Sequence, residues 1–290
     1  MSHFMIRSST IQLLRFHFSF FLMPIYWFAL SQVNEINIRN ALLIFVILHL
    51  LVYPASNGYN SYMDRDTESI GGLANPQQPT RQLFYASVLL DMIALIASAF
   101  ISTLFLAGIF IYIAASRAYS HRGIRLKQYP VIGYLTVITC QGGLVFFLVM
   151  ESANVDNNIH VPLIGMIAAS LLIGGFYPLT QIYQHKQDKA DGVTTLSYLL
   201  GYRSTFIFTA LIYFLAMTSL AVYMAQNLEL GYFFSMQLFF IPVLVYFGWW
   251  FLKVYRDTSM ANFTNTMRMN LLASLCSNAG FIFLFLIRHH

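Results

Sequence analysis

Long apolar stretches separated by short polar segments run along the whole chain. Apolar runs of about 18 residues or more recur, and each can cross the hydrocarbon core of a bilayer as a helix. Helices satisfy their own backbone hydrogen bonds in lipid, whereas open strands do not. The pattern predicts an all-α polytopic membrane protein with about nine transmembrane helices in one bundle. The predicted spans cover residues 9–32, 41–58, 84–100, 102–118, 130–150, 161–182, 204–225, 231–254 and 270–288.

Composition agrees with this prediction, because 58% of the 290 residues are hydrophobic and only 9% are charged. A soluble domain carries about 25% charged residues, so a soluble globular protein is excluded. The apolar stretch 84–118 is too long for one crossing of about 20 residues, and it is therefore divided into two spans. The first apolar run exceeds the core of a signal peptide and has no small-residue cleavage site, which predicts a retained helix.

The positive charges fall mainly in alternate connections between the predicted spans. The opposite side has only Arg39 and Arg288. By the positive-inside rule, this asymmetry places the N-terminus and the basic loops in the cytoplasm. We expect an integral protein of the cytoplasmic (inner) membrane. The cations of the predicted cytoplasmic loops are Arg65, Arg81, Arg117, Arg122, Arg125, Lys127, Lys186, Lys189, Arg203, Lys253, Arg256 and Arg268.

A polar, acidic stretch follows the second span. Asn60, Asp64 and Glu68 are spaced four residues apart, which would stack their side chains along one face of a helix. Oxygen ligands of this kind suit Mg²⁺, which often binds through one or two carboxylates together with phosphate groups and water. The alternative is a solvated helix end that carries ordinary charges.

A second polar cluster follows the sixth span. Gln184 and Asp188 are again four residues apart, Asp191 lies three residues further on, and Gly192 is a predicted helix stop. A helix C-terminus with mixed charges is the alternative interpretation. His185 stands alone in this cluster, and we expect it to be a surface histidine.

A basic segment lies between the fourth and fifth spans. It contains Tyr119, Arg122, Arg125 and Lys127. Such a segment can bind anionic lipid headgroups, and it can equally bind a pyrophosphate. Two acid-rich helix ends and one basic loop on the same predicted side suit a substrate with a pyrophosphate head and a long apolar tail. No nucleic-acid partner is expected.

The polar motifs resemble those of the UbiA superfamily of intramembrane prenyltransferases. The family's first motif, Asn-x-x-x-Asp-x-x-x-Asp, is matched by Asn60, Asp64 and Glu68, with Glu in the last place. Its second motif is Asp-x-x-x-Asp followed by Gly-x-x-Thr-Leu. Here Asp188 begins the matching part, and Gln184 replaces the first aspartate. The matching Gly-x-x-Thr-Leu segment consists of Gly192, Thr195 and Leu196.

The resemblance implies one membrane domain over residues 1–290, with loops 59–83 and 183–203 capping a central cavity. It also implies Mg²⁺, an isoprenyl diphosphate donor, and a hydrophobic acceptor of the quinone-precursor, tetrapyrrole or lipid-alcohol type. Asp64, Asp188 and Lys127 would be catalytic. The implied metal ligands are Asn60, Asp64, Glu68, Asp188 and Gln184, and the implied diphosphate ligands are Arg125, Lys127, Lys189, Tyr119 and Arg65.

Two further hypotheses stay open. A membrane transporter or lipid-binding protein would place buried charges in mid-span, and Asp91 in the third span is the main candidate for such a charge. A family member with altered catalysis is compatible with Gln184, because an amide supplies an oxygen but no negative charge.

Overall fold

The structure, a computed structural model, describes residues 6–156 and 160–289, and in this part the long regular elements are all helices. Residues 1–5, predicted to face the cytoplasm, lie outside this part. Nine helical segments of the described chain are long and apolar enough to cross a membrane, as predicted. They are α1 Ser8–Ser31, α2 Ile38–Asp64, α3 Arg81–Ser98, α4 Thr103–Ser120, α5 Pro130–Ser152, α6 Leu163–Ala190, α7 Tyr202–Gln226, α8 Leu230–Arg256 and α9 Phe263–His289.

Several of these segments contain local changes of helix type. A 3₁₀ turn, Phe16–Phe21, interrupts α1. A π-helical turn, Ile47–Val52, lies in α2 immediately before the segment that contains Pro54. Proline has no backbone N–H and its ring collides with the carbonyl one turn earlier, so widening of the preceding turn accommodates it. The division of residues 84–118 is confirmed, since α3 ends at Ser98 and α4 begins at Thr103.

The chain forms two compact units. Among the described residues, the first comprises 6–20 and 42–126, and the second comprises 21–41, 127–156 and 160–289. In the first unit, α2 lies very close to α3 at Gly58. A Cβ atom there would lie 2.6 Å from Ser87 Oγ and 2.8 Å from Leu14 Cδ2. Buried Leu14 and Leu83 belong to the apolar core beside this contact, so glycine permits the approach that buries them.

In the second unit, aromatic packing and small residues bring the helices together. Phe28 of α1 stacks on Phe281 of α9, with ring centroids 5.0 Å apart. A Cβ atom at Gly142 of α5 would lie 2.5 Å from the Ser170 Cα of α6, which shows that these two backbones are nearly in contact. Close approach through small residues is typical of helix packing within membranes.

Exposed apolar side chains form stripes along the outer faces of several segments. On α3, Leu89, Ile93 and Ile96 are exposed at the spacing of one helix face. In water such surfaces would be unfavourable, and in a bilayer they face lipid. The protein is therefore an integral membrane protein with the predicted all-α fold.

Candidate active site

The first polar cluster lies at the C-terminal end of α2. Asn60 and Asp64 are one turn apart, and the helix ends at Asp64 because Arg65 adopts a left-handed conformation with φ of 56°. The Arg65 N–H bonds to the carbonyl of Ser61, as in a common helix ending. Glu68 lies beyond this end, in a loop, and is exposed. The expected row of three side chains on one helix is therefore wrong, since only Asn60 and Asp64 share the helix.

Asp64 places a carboxylate at the end of a helix where negative charge is least favourable. The C-terminal end of a helix has a partial negative charge from its unpaired carbonyl groups, so carboxylates there are unfavourable and cations are favourable. One cation is already present, because Arg122 Nε donates to the carbonyl of Met63 at 2.8 Å. Arg122 of the basic segment thus stabilises the end of α2.

Two serines of α4 hold this end of α2. Asn60 Nδ2 donates to Ser120 Oγ at 3.0 Å, and one turn earlier Ser116 Oγ donates to Ser56 Oγ at 2.9 Å. Residues four apart lie on one helix face, so the two pairs form adjacent contacts between the same faces. The amide of Asn60 is thereby fixed against a buried serine.

A buried ion pair joins α3 and α4 beside these contacts. Arg117 contacts the carboxylate of Asp91, and the two side chains are 19% and 10% exposed. The Arg117 guanidinium also lies 4.0 Å from the centre of the Tyr59 ring and 3.4 Å from the Ala55 carbonyl oxygen of α2. The prediction of Arg117 as a loop residue is wrong, because it lies in the last turn of α4. Its charge is matched by Asp91, the mid-span acid noted in the sequence.

The loop after α2 is tied to α1 by another buried arginine. Arg15 donates to the carbonyls of Gly71 at 3.0 Å and Asn57 at 3.3 Å, and it is only 6% exposed. Ile70 and Leu73 form an isolated bridge in the same loop. These bonds fix the loop that carries Glu68. Arg65 is exposed, with its guanidinium 6.0 Å from the Tyr62 ring.

The basic segment after α4 has an irregular backbone. Tyr119 is in the last turn of α4 and is partly buried. Arg125 has a left-handed φ of 49°, and its N–H bonds to the His121 carbonyl at 2.7 Å. Lys127 lies in a short 3₁₀ turn, Leu126–Gln128, and belongs to the second unit, whereas Tyr119 and Arg125 belong to the first.

The second polar cluster forms the end of α6. Gln184 closes a 3₁₀ turn, Ile182–Gln184, and Asp188 lies in the helical turn that follows. Thr195 Oγ1 donates to Asp188 Oδ2 at 3.4 Å, and this hydroxyl also accepts from the Tyr198 N–H. Lys189 is exposed. The helix stop predicted at Gly192 is confirmed, because the helix ends just before it and its φ is +67°.

His185 is buried, so its prediction as a surface residue is wrong. It is 5% exposed, and its Nε2 atom lies 2.8 Å from Ser197 Oγ. Its ring stacks on Tyr202, with centroids 4.6 Å apart. These partners are 12 and 17 residues further along the chain, beyond the reach of local spacing arguments. His185 therefore packs the end of α6 against the connector that follows it and against the start of α7.

The described residues contain no group of three or more His, Cys, Asp or Glu side chains that could hold a metal ion. Mg²⁺ does not require such a cage, because it commonly binds one or two carboxylates and completes its shell with substrate phosphates and water. Asn60 and Asp64 supply one amide oxygen and one carboxylate at a helix end that favours cations. This donor set fits Mg²⁺.

Comparison with known proteins decides the family. The sequence model of the UbiA prenyltransferase family matches residues 20–272 of this chain. The chain belongs to the UbiA prenyltransferase family. It is an intramembrane prenyltransferase, as the motif resemblance implied. A search of curated proteins found no match.

Solved structures of UbiA homologues share this fold. An apo UbiA homologue from Aeropyrum pernix K1 has a TM-score of 0.70 at 17% identity, over 93% of this chain and 98% of that one. A UbiA homologue from Archaeoglobus fulgidus, bound to GPP and Mg²⁺, has a TM-score of 0.65 at 17% identity, over 95% and 100%. A structure described for digeranylgeranylglyceryl phosphate synthase gives 0.60 at 18% identity, over 96% of each chain.

Sequence reasoning missed several residues that support the UbiA motif. Ser116 and Ser120 contact α2, and Arg15 binds the loop after it. The signal for the serines was a pair of hydroxyls one turn apart at the polar end of an apolar helix. No comparable signal existed for Arg15, whose partners lie 42 and 56 residues away.

Proposed function

We propose that this UbiA prenyltransferase transfers an isoprenyl group from an isoprenyl diphosphate to a lipophilic acceptor in a reaction that requires Mg²⁺. The donor class and the metal agree with the ligands of the Archaeoglobus fulgidus homologue, whose structures hold GPP or DMAPP with Mg²⁺. The acceptor belongs to the quinone-precursor, tetrapyrrole or lipid-alcohol classes. The site faces the cytoplasm, in the orientation that the loop charges favour.

The observation that carries this proposal is the end of α2. Asn60 and Asp64 present an amide oxygen and a carboxylate one turn apart, at a helix terminus whose carbonyl groups are already negative. Amide and carboxylate oxygens are ligands that Mg²⁺ accepts beside substrate phosphates and water. The isoprenyl tail of the donor suits an intramembrane enzyme.

The reaction requires the allylic C–O bond of the donor to break, with its electron pair leaving on the diphosphate. Bound Mg²⁺ supplies positive charge that stabilises the departing diphosphate. Cationic side chains add to this stabilisation when they are positioned for the charge that develops in the transition state. We assign this role to Arg125, Lys127, Lys189 and Arg65, with Tyr119 as a hydrogen-bonding partner. A nucleophilic carbon or oxygen of the acceptor then bonds to the allylic carbon and loses a proton.

Other roles of the polar motifs rest on the family resemblance. Glu68 completes the first motif from the loop, which Arg15 holds in place. Asp188 is proposed as a metal ligand in the second motif, and Gln184 as a neutral, weaker one. The Thr195 hydroxyl bonds to the Asp188 carboxylate, which limits the orientations that this carboxylate can take.

Removal of the Asp64 carboxylate tests the proposal. Purified protein in lipid nanodiscs is supplied with geranyl diphosphate, Mg²⁺ and one acceptor from each class, and diphosphate release is measured. We expect Asp64→Ala to lower the rate by about 10²-fold or more, as for the loss of a group that stabilises transition-state charge. Asp156→Ala removes an exposed carboxylate near the end of α5 and should retain the wild-type rate.

Two outcomes would count against the proposal. Wild-type protein that releases no diphosphate with any acceptor class would favour the transporter or lipid-binding hypothesis. Full activity of Asp64→Ala, or full activity in excess EDTA, would remove the metal site from α2. Mass spectrometry of lipids that copurify with the protein would narrow the choice of acceptor.

A further inference from the structure

We propose that Ser120 is a positioning residue for the metal site, because it fixes the Asn60 amide with its carbonyl oxygen available to a cation. This inference rests on the proposed function, which makes Asn60 a metal ligand. Ser120 itself touches neither metal nor substrate in the proposal. Its effect on the site passes through one hydrogen bond to Asn60.

The geometry defines which end of the amide is used. Asn60 Nδ2 donates to Ser120 Oγ at 3.0 Å. Among the described residues, no donor is bonded to Asn60 Oδ1. An asparagine binds a metal through its oxygen and never through its NH₂ group, which is a donor only. The bond to Ser120 therefore occupies the end of the amide that a cation cannot use.

The hydrogen bond between Asn60 and Ser120 is partly buried, so its loss is costly. Ser120 is 2% exposed and lies in the last turn of α4. A buried N–H without an acceptor is costly, whereas an amide that can rotate toward water is not. Without the Ser120 oxygen, Asn60 would have to leave its N–H unpaired in order to present Oδ1 to a cation. The cation-bound state would then be penalised more than the free state.

The helix contact supplies a matched control one turn away. Ser116 Oγ donates to Ser56 Oγ at 2.9 Å, and neither serine belongs to the proposed ligand set. Ser116→Ala and Ser120→Ala each remove one hydroxyl from the same face of α4 and one hydrogen bond to α2. A purely structural role for the two serines predicts similar effects of the two substitutions on metal binding.

Binding of Mn²⁺, a paramagnetic substitute for Mg²⁺, tests the inference without turnover. The free ion is measured by electron paramagnetic resonance during titration of the protein with Mn²⁺ alone. We expect Ser120→Ala to raise the dissociation constant about fivefold, the effect of one buried hydrogen bond. Ser120→Thr, which keeps the hydroxyl, should bind Mn²⁺ nearly as the wild type does, and Ser116→Ala should also be unchanged.

A double-mutant cycle shows whether Ser120 acts through Asn60. In an Asn60→Ala background, Ser120→Ala should cause no further weakening, because the amide that it positions is gone. A similar fivefold effect in that background would overturn the inference. Equal effects of Ser116→Ala and Ser120→Ala, or no effect of Ser120→Ala, would overturn it as well.

The proposed function can fail separately. Wild-type protein that binds no Mn²⁺, or Asp64→Ala that binds it like the wild type, would refute the metal site on α2 and this inference with it. Loss of binding in Asp64→Ala, together with normal binding in Ser120→Ala, refutes the positioning role alone.

If Ser120→Ala does not fold, Ser120→Cys keeps the side-chain size with a weak acceptor and should show the same weakened binding.

Discussion

The buried pair between Asp91 and Arg117 offers the strongest test of how α2 is held. Asp91→Leu removes the carboxylate and leaves the Arg117 guanidinium, which is 19% exposed, without its partner. Arg117→Met removes the guanidinium and leaves the carboxylate. The double variant replaces both charges with apolar side chains of roughly similar size. The three variants and the wild type form a thermodynamic cycle.

The magnitude follows from the burial of both groups. Breaking a buried ion pair by removing one partner costs about 3–5 kcal/mol, because a charge is left uncompensated. A chain of this size loses about 2 °C in its unfolding midpoint per kcal/mol, so Asp91→Leu should lower the midpoint by about 6–10 °C. The cost of Arg117→Met should be smaller, because a buried carboxyl can become neutral by protonation whereas a guanidinium cannot.

Replacing both partners should restore most of the stability. Apolar substitution of a whole buried pair is often neutral or better. Some loss should remain, because Arg117 also lies over the Tyr59 ring at 4.0 Å, and such cation–π contacts contribute about 0.5–2 kcal/mol. We expect the double variant to unfold within about 4 °C of the wild type.

Thermal unfolding in detergent, followed by size-exclusion chromatography, provides the measurement. Arg203→Met is the control, because Arg203 is exposed and lies over the Tyr255 ring at 5.0 Å. Its midpoint should change by no more than about 2 °C, as for an exposed cation–π contact of 0.5–1 kcal/mol. If the losses of the two single variants simply add in the double variant, Asp91 and Arg117 are not coupled and the reasoning fails.

Two further predictions concern the second motif and the α2–α3 contact. Gln184→Asp restores the carboxylate of the family motif, and we expect a lower Mg²⁺ concentration for half-maximal activity. An unchanged Mg²⁺ titration would count against a ligand role for residue 184. Gly58→Val should cost about 1–3 kcal/mol by overpacking and lower the unfolding midpoint, because Ser87 Oγ lies 2.6 Å from the Cβ position. Gly248→Ala, where no atom lies within 4 Å of that position, should cause no loss, and equal midpoints for the two variants would contradict the close-packing argument.

The sequence by itself determined the class of protein and the approximate positions of its spans, and its motifs indicated the family. Apolar runs must be helical in lipid because each backbone group needs a partner within its segment, so length and hydropathy were sufficient. The separation of α3 from α4 followed from the same limit on length. The motif around Asn60 and Asp64 was also readable, because residues four apart on a helix are neighbours wherever the helix lies.

Only the tertiary structure decided where regular spacing stops and which distant side chains meet. Glu68 leaves the helix face because Arg65 takes a left-handed conformation. The sequence did not predict this helix end, because residue 65 is not a glycine. Asp91 pairs with Arg117, 26 residues away along the chain, and Asn60 donates a hydrogen bond to Ser120, 60 residues away. Such partners depend on the packing of α2, α3 and α4 against one another, and local periodicity carries no information about it.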